Sequence, residues 1–216
     1  MLVRSGLAVI GAYLLGSVSF AYLIGRLRGV DIRKVGTRNV GGSNVWHTVG
    51  RLEGVVAAIA DIGKGSVAVW AAKALGCGDW AVALAGVAVV AGHNWPLFLG
   101  FQGGRGIGTT LGAMLVLTPK AMGVALISFA LGAFTKTLAL GVAIGMVILP
   151  IAAWAFGEPL PTVVACLILL AFMIIRRLTG IGVWEEIRRA EDKRRLIINR
   201  LLYDNPRGRG YVPPRR

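Results

Sequence analysis

The residues with the best prospects for chemistry lie in two glycine-rich, cationic stretches. One is "GHNWPLFLGFQGGRGIGTTLG" (residues 92–112), which sets Arg105 between Gly104 and Gly106 just ahead of a helix expected from Ile107. Glycines let a backbone come close to a ligand, a helix N-terminus favours an anion, and a guanidinium can grip phosphate with two parallel hydrogen bonds. The combination predicts a phosphate cradle, although a cationic anchor at a membrane face would also account for Arg105. The other stretch, "DIRKVGTRNVGGSNVWHTVG" (31–50), interleaves Thr37, Asn39, Gly41, Ser43 and Asn44. Backbone N–H groups and neutral donors in so compact a loop suit the oxygens of a phosphate or polyol, with an ordinary Gly/Asn-rich turn as the alternative. Two such loops on one membrane face require coincidence to act twice.

Charges also stand where the chain is otherwise apolar. "DIGKG" places Asp61 and Lys64 three positions apart on one helix face. Each would cost ~2.5–3.5 kcal/mol inside a span, so they must pair or line a polar cavity. An ion pair that supports the site and direct contact with a ligand both fit. His93, with Asn94, falls at the inner half of a span, either as a core hydrogen-bonding group or as a functional base. No nucleophile accompanies it: there is no GxSxG, no Cys/His pairing and no pair of carboxylates. A histidine–aspartate acyltransferase mechanism, with the aspartate five positions on, is closed because that position is Phe98. Cys77 and Cys166 are isolated, without CxxC or ligand spacing, and are expected as small packed residues. No metal and no cofactor are expected.

The elements that must position these residues are membrane helices. The 216 residues are 56% hydrophobic, and the mean hydropathy of +0.70 lies above the range of water-soluble domains. Apolar runs cover residues 7–25, 54–75, 80–99, 138–156 and 162–175. Between the third and fourth, "IGTTLGAMLVLTPKAMGVALISFALGAFTK" reads as one long span or as two short ones hinged at Thr118, Pro119 and Lys120. Charge decides. Lys and Arg number 24 against 10 Asp and Glu, and they collect in the connections, as cytoplasmic orientation requires. Residues 26–51, Arg105 and the basic C-terminal segment all belong in the cytoplasm, so an even number of crossings must separate Arg105 from the tail. The expectation is all-α: seven transmembrane helices, N-terminus outside and C-terminus inside. A cleaved signal peptide is rejected at the N-terminus, because its apolar run continues into the first polar loop. Glycines within the spans predict close helix packing.

Residues 1–180 are expected as a single transmembrane domain and 181–216 as a basic cytoplasmic tail. In "VWEEIRRAEDKRRLIINRLL", Trp184, Ile187, Ile197 and Leu201 share one helical face among cations, which predicts an interfacial helix on anionic membrane lipid. Nucleic acid is not an expected partner, since no aromatic platform accompanies the arginines. A transporter would show an inverted repeat between the two halves, and none is visible.

The order of motifs, "GSVSFAYLIGRLRGVDIRKVGTRNVGGSNVWHTVG", then "DIGKG", then "GHNWPLFLGFQGGRGIGTTLG", resembles the bacterial acyl-phosphate:glycerol-3-phosphate acyltransferase family over about residues 1–180. The resemblance implies a seven-helix inner-membrane enzyme that transfers an acyl group from acyl phosphate to glycerol 3-phosphate in phospholipid synthesis, with its site facing the cytoplasm. It implies that the first loop (Thr37, Asn39, Gly41, Ser43, Asn44 and His47) binds glycerol 3-phosphate. Gly104 and Gly106 hold phosphate, and Arg105 and His93 serve catalysis. Asn39, Gly41, Asn44, His93, Gly104 and Gly106 match the family pattern. Thr37 and Ser43 stand for a serine and a threonine, Arg38 for a glycine, His47 for an arginine and Arg105 for a lysine. A serine hydroxyl is replaced by Ala139, and an asparagine beyond Arg176 and Arg177 by Gly180. These departures leave a second reading, a relative that binds lipid phosphates or regulates an active enzyme without catalysis.

Overall fold

A backbone surrounded by hydrocarbon must satisfy its own hydrogen bonds, and helices are how this chain does so. The computed structural model describes residues 2–180 and 182–204, and every regular element among them is helical. In chain order these are α1 (Leu2–Ser17), α2 (Phe20–Leu27), α3 (Gly42–Thr48), α4 (Arg51–Ala74), α5 (Asp79–Asn94) and a 3-10 turn (Leu97–Leu99). They continue as α6 (Ile107–Leu117), α7 (Pro119–Phe134), α8 (Leu138–Ala155), α9 (Leu160–Leu178), α10 (Val183–Arg189) and α11 (Lys193–Tyr203). Among the described residues five segments are long and apolar enough to cross a membrane: Leu2–Leu27, Arg51–Ala74, Asp79–Leu99, Leu138–Ala155 and Leu160–Leu178.

The disputed middle segment is two helices. Thr118 closes α6, and Pro119 opens α7 in the first turn, where a backbone N–H has no partner within the helix and its loss costs nothing. Elsewhere breaks fall within single apolar runs. The first run is interrupted at Val18 and Ser19, where the Ser19 hydroxyl accepts from the Tyr22 N–H at 3.3 Å and starts α2 afresh. The third ends at Asn94, because Pro96 has no N–H to carry the helix on.

Helices approach to backbone contact through glycines, as their abundance predicted. Gly16 of α1 lies on the Val89 carbonyl of α5, and Gly92 of α5 lies on the Tyr13 carbonyl of α1. Gly65 of α4 meets the Thr109 carbonyl of α6, and Gly112 of α6 meets the Ile62 carbonyl of α4. Around these contacts pack Val69, Val89, Met114, Met122, Met146, Leu149 and Leu169, all fully buried, while Ile59, Trp70, Phe134 and Trp154 face outward. Cys166 is buried with its thiol toward the Met114 sulfur, and Cys77 is half-buried.

The tail differs from the single helix expected. It breaks at Ala190, and the Asp192 carboxylate caps a second helix by accepting from the Arg195 N–H at 2.8 Å. α11 packs against α8 and α9. Trp184 is exposed while Ile197 and Leu201 are half-buried, so their common face is divided between two helices. Ile181 and residues 205–216 of the tail lie outside the described residues.

Candidate active site

The site is organised around the inner end of α5. His93 is buried, and its Nδ1 faces Asp61 Oδ1 of α4 at 3.4 Å. The same carboxylate oxygen pairs with Lys64 Nζ at 2.9 Å. The ammonium also donates to the carbonyls of Gly16 and Val18 at 3.0 and 2.9 Å, satisfying orphan acceptors at the end of α1. The spacing of "DIGKG" thus yields a closed ion pair, which ties α1, α4 and α5 together behind His93.

In front of His93 lies the loop 103–106. The Gly104 N–H donates to the His93 carbonyl at 3.1 Å. Gly104 also abuts the His93 ring and the Val40 carbonyl, so a Cβ has no room there. Gly106 takes a left-handed φ of 75° to start α6, with the buried Asn94 side chain against it. From α9, Arg176 donates Nε to the Gly104 carbonyl at 2.9 Å and Nη2 to the Gly103 carbonyl at 2.7 Å. Its guanidinium carbon is 5.7 Å from the centre of the Trp95 ring. The loop is therefore held on both sides, and Arg105 extends from it to an ion pair with Asp204. Its neighbour Arg177 donates to the Ala139 carbonyl at 2.8 Å and to the Leu201 carbonyl, so the contact at Ala139 is to backbone, not side chain.

The first loop reaches the second through Val40. Within it, Asn44 is buried and uses its side chain internally: Oδ1 accepts from the Thr37 N–H at 3.0 Å, and Nδ2 donates to the carbonyls of Ile32 and Val35 at 2.8 and 3.2 Å. Asn44 thus builds the loop, whereas Thr37 and Ser43 are exposed and Asn39 half-buried. Gly41, extended, caps α3 next to the Asn39 amide. The loop's base is a tight pair in which Asp31 accepts from Arg33 through both carboxylate oxygens. Hydrogen bonds from the Arg33 side chain lower the Asp31 pKa to about 2, and the same bonds raise that of Arg33. His47 is exposed beside Trp46 and Arg51 in a separate depression of about 250 Å³.

The structure thus brings together His93, Gly104, Arg105, Gly106 and the Val40 carbonyl of the first loop, while His47 lines a depression formed by residues 46–51. Two participants had little or no sequence signal. Arg176 stood out only as a retained arginine of the family resemblance, with no partner indicated, and nothing in the sequence ties Asp204 to Arg105.

Fold and site together define a multi-pass integral membrane protein with a cationic, glycine-built face suited to phosphate-bearing molecules. The chain belongs to the glycerol-3-phosphate acyltransferase family: the sequence profile described as "Glycerol-3-phosphate acyltransferase" matches residues 6–184. It is 46% identical over 143 residues to glycerol-3-phosphate acyltransferase 5 of Dehalococcoides mccartyi (strain 195), covering 65% of this chain and 61% of that relative. It is 37% identical over 199 residues to glycerol-3-phosphate acyltransferase 4 of D. mccartyi strain CBDB1, covering 89% and 85% respectively. Among solved structures it is similar to PlsY, an integral membrane glycerol 3-phosphate acyltransferase crystallised in its glycerol 3-phosphate form. The TM-score is 0.76 at 30% identity, over 86% of this chain and 94% of that one.

Proposed function

We propose that this chain transfers an acyl group from acyl phosphate to the primary hydroxyl of glycerol 3-phosphate, yielding lysophosphatidic acid and inorganic phosphate. Family membership supports the activity. The observation that carries its placement is the convergence of Val40, the buried His93 and the arginine-held loop 103–106 on one spot. Acyl phosphate is an activated mixed anhydride, so the chain needs no nucleophile of its own. The substrate hydroxyl oxygen bonds to the acyl carbon, the carbon–oxygen bond to phosphate breaks, and the departing phosphate accepts the hydroxyl proton. What the protein supplies is proximity and electrostatic stabilisation.

In this scheme Arg105 binds and neutralises a substrate phosphate, while Gly104 and Gly106 allow close approach. Thr37, Asn39, Gly41 and Ser43 present hydrogen-bonding groups to glycerol 3-phosphate. His93 fixes the loop through its carbonyl and faces the site with its ring. Asn44 acts through the loop that it braces, and His47 borders the entrance. Residues 1–180 form the catalytic domain, and the exposed cations of the tail, with Trp184, face anionic lipid.

The proposed topology has seven crossings, an outer N-terminus and a site facing the cytoplasm of a bacterial plasma membrane. Its least conventional members are α6 and α7, whose 11 and 16 residues rise about 16 and 24 Å, so the bundle must shield them. The test is purified protein in detergent with both substrates, following lysophosphatidic acid and phosphate. Product is expected from the wild type and its near-complete loss from Arg105→Ala; no difference between the two would overturn the assignment.

A further inference from the structure

The tail does more than leave the membrane. α11 ends at Asp204, whose left-handed backbone (φ 57°) turns the chain so that its carboxylate meets Arg105. Two contacts hold α11 in that position: Arg177 of α9 donates to the Leu201 carbonyl, and the buried Arg200 pairs with Glu186 of α10. Among the described residues Asp204 is the only carboxylate in an ion pair with Arg105. The matched family region ends at residue 184, so α11 lies beyond it.

We infer that Asp204 is an internal competitor for substrate phosphate, held on Arg105 by α11 and displaced when a phosphate binds there. The inference rests on the reading of Arg105 as a phosphate ligand. A carboxylate and a phosphate present matching oxygen pairs to the same guanidinium fork, so both cannot use it fully at once. Phosphate carries the greater charge and gains more from the cation, which lets substrate win at sufficient concentration. The tail thereby sets a threshold: apparent affinity is the intrinsic affinity reduced by the fraction of molecules in which Arg105 is uncovered. The Arg105 and Asp204 side chains are 23% and 14% exposed. For an ion pair still partly open to solvent, that reduction is about two- to fivefold.

Full-length wild type, Asp204→Asn, Asp204→Glu and Glu186→Gln in detergent provide the test. Initial rates are titrated against glycerol 3-phosphate at saturating acyl phosphate, then the converse, with inorganic phosphate as a competing inhibitor. Asp204→Asn is expected to lower the KM for one substrate about two- to fivefold and to tighten phosphate inhibition by a similar factor, without lowering kcat. The arm in which KM falls identifies which substrate's phosphate Arg105 takes. Asp204→Glu keeps the carboxylate and should stay near wild type. Glu186→Gln loosens α11 without altering Arg105 or Asp204 and should act in the same direction as Asp204→Asn, which covers the case where the latter fails to fold. Unchanged KM values and phosphate inhibition, or a raised KM, would overturn the competitor. Full activity in Arg105→Ala would instead remove the reading beneath it.

Discussion

Arg176 offers the sharpest test of how the loop 103–106 is held. Arg176 is buried, 6% exposed, and its guanidinium spans two successive carbonyls, Gly104 through Nε and Gly103 through Nη2. Substitution by lysine keeps the charge but replaces a planar fork with a single point of donation, which cannot reproduce both directions. One charge-assisted hydrogen bond is then lost, at ~1.5–3 kcal/mol. At 1.4 kcal/mol per decade, the fraction of molecules with a held loop, and with it kcat/KM, falls ~10- to 150-fold. The assay is kcat/KM for glycerol 3-phosphate in detergent, alongside thermal midpoints for wild type, Arg176→Lys, Arg176→Gln and Arg177→Lys. Arg177 bonds to Ala139 and Leu201 instead of the loop, so Arg177→Lys should be clearly milder. If Arg176→Lys turns over within about twofold of wild type, the loop is positioned by something else and the argument fails.

Lys64→Met should cost ~3–5 kcal/mol, because it leaves Asp61 and the carbonyls of Gly16 and Val18 without their cation. In thermal denaturation of a chain this size that is a midpoint drop of ~6–20 °C, with part recovered in Asp61→Asn/Lys64→Met; additive losses would deny the coupling. The Asp31 carboxyl, held down to about 2 by Arg33, contributes stability that is fully present above its unfolded value near ~4 and is lost as pH falls toward about 2. Acid-unfolding curves of wild type and Arg33→Gln should therefore separate above pH ~4 and converge below pH ~2, and curves that stay parallel throughout would exclude the linkage.

What could be read from the sequence, and what could not, follows from how far each signal extends along the chain. The division at Thr118 was legible because Pro119 acts locally and the count of cations in the connections does not depend on which helices touch. The Asp61–Lys64 pair was legible because both partners share one turn of helix. The break at Ser19 was hidden, since a serine among apolar residues reads as tolerated until its hydroxyl is seen capping α2. Asn44 was misread as a group facing ligand: an asparagine in a glycine-rich loop looks the same whether it meets substrate or its own backbone. The tail's single amphipathic face failed for a related reason. Helical periodicity ran through Ala190 unbroken, while the extended backbone there ended α10 and the Asp192 cap began a separate α11, whose Ile197 and Leu201 are half-buried in a helix packed on α8 and α9. Arg176 over Gly103 and Asp204 on Arg105 join residues far apart in sequence, and only the fold makes them neighbours.

The reciprocal contact between α4 and α6 constrains how this sequence can drift. Gly65 and Gly112 each sit on the other helix's backbone, with no flexible side chain between them to yield. A methyl group at either position therefore has to move a whole helix, and α6 begins directly after Gly106. Displacement at mid-bundle is thus passed to the loop that carries Arg105, through a rod too stiff to absorb it. Substitutions at these two glycines are expected to score as losses of activity although neither residue belongs to the loop 103–106. Because both set the same separation of α4 and α6, a change at one of them alters the room left at the other, and the two positions form one joint constraint on the bundle.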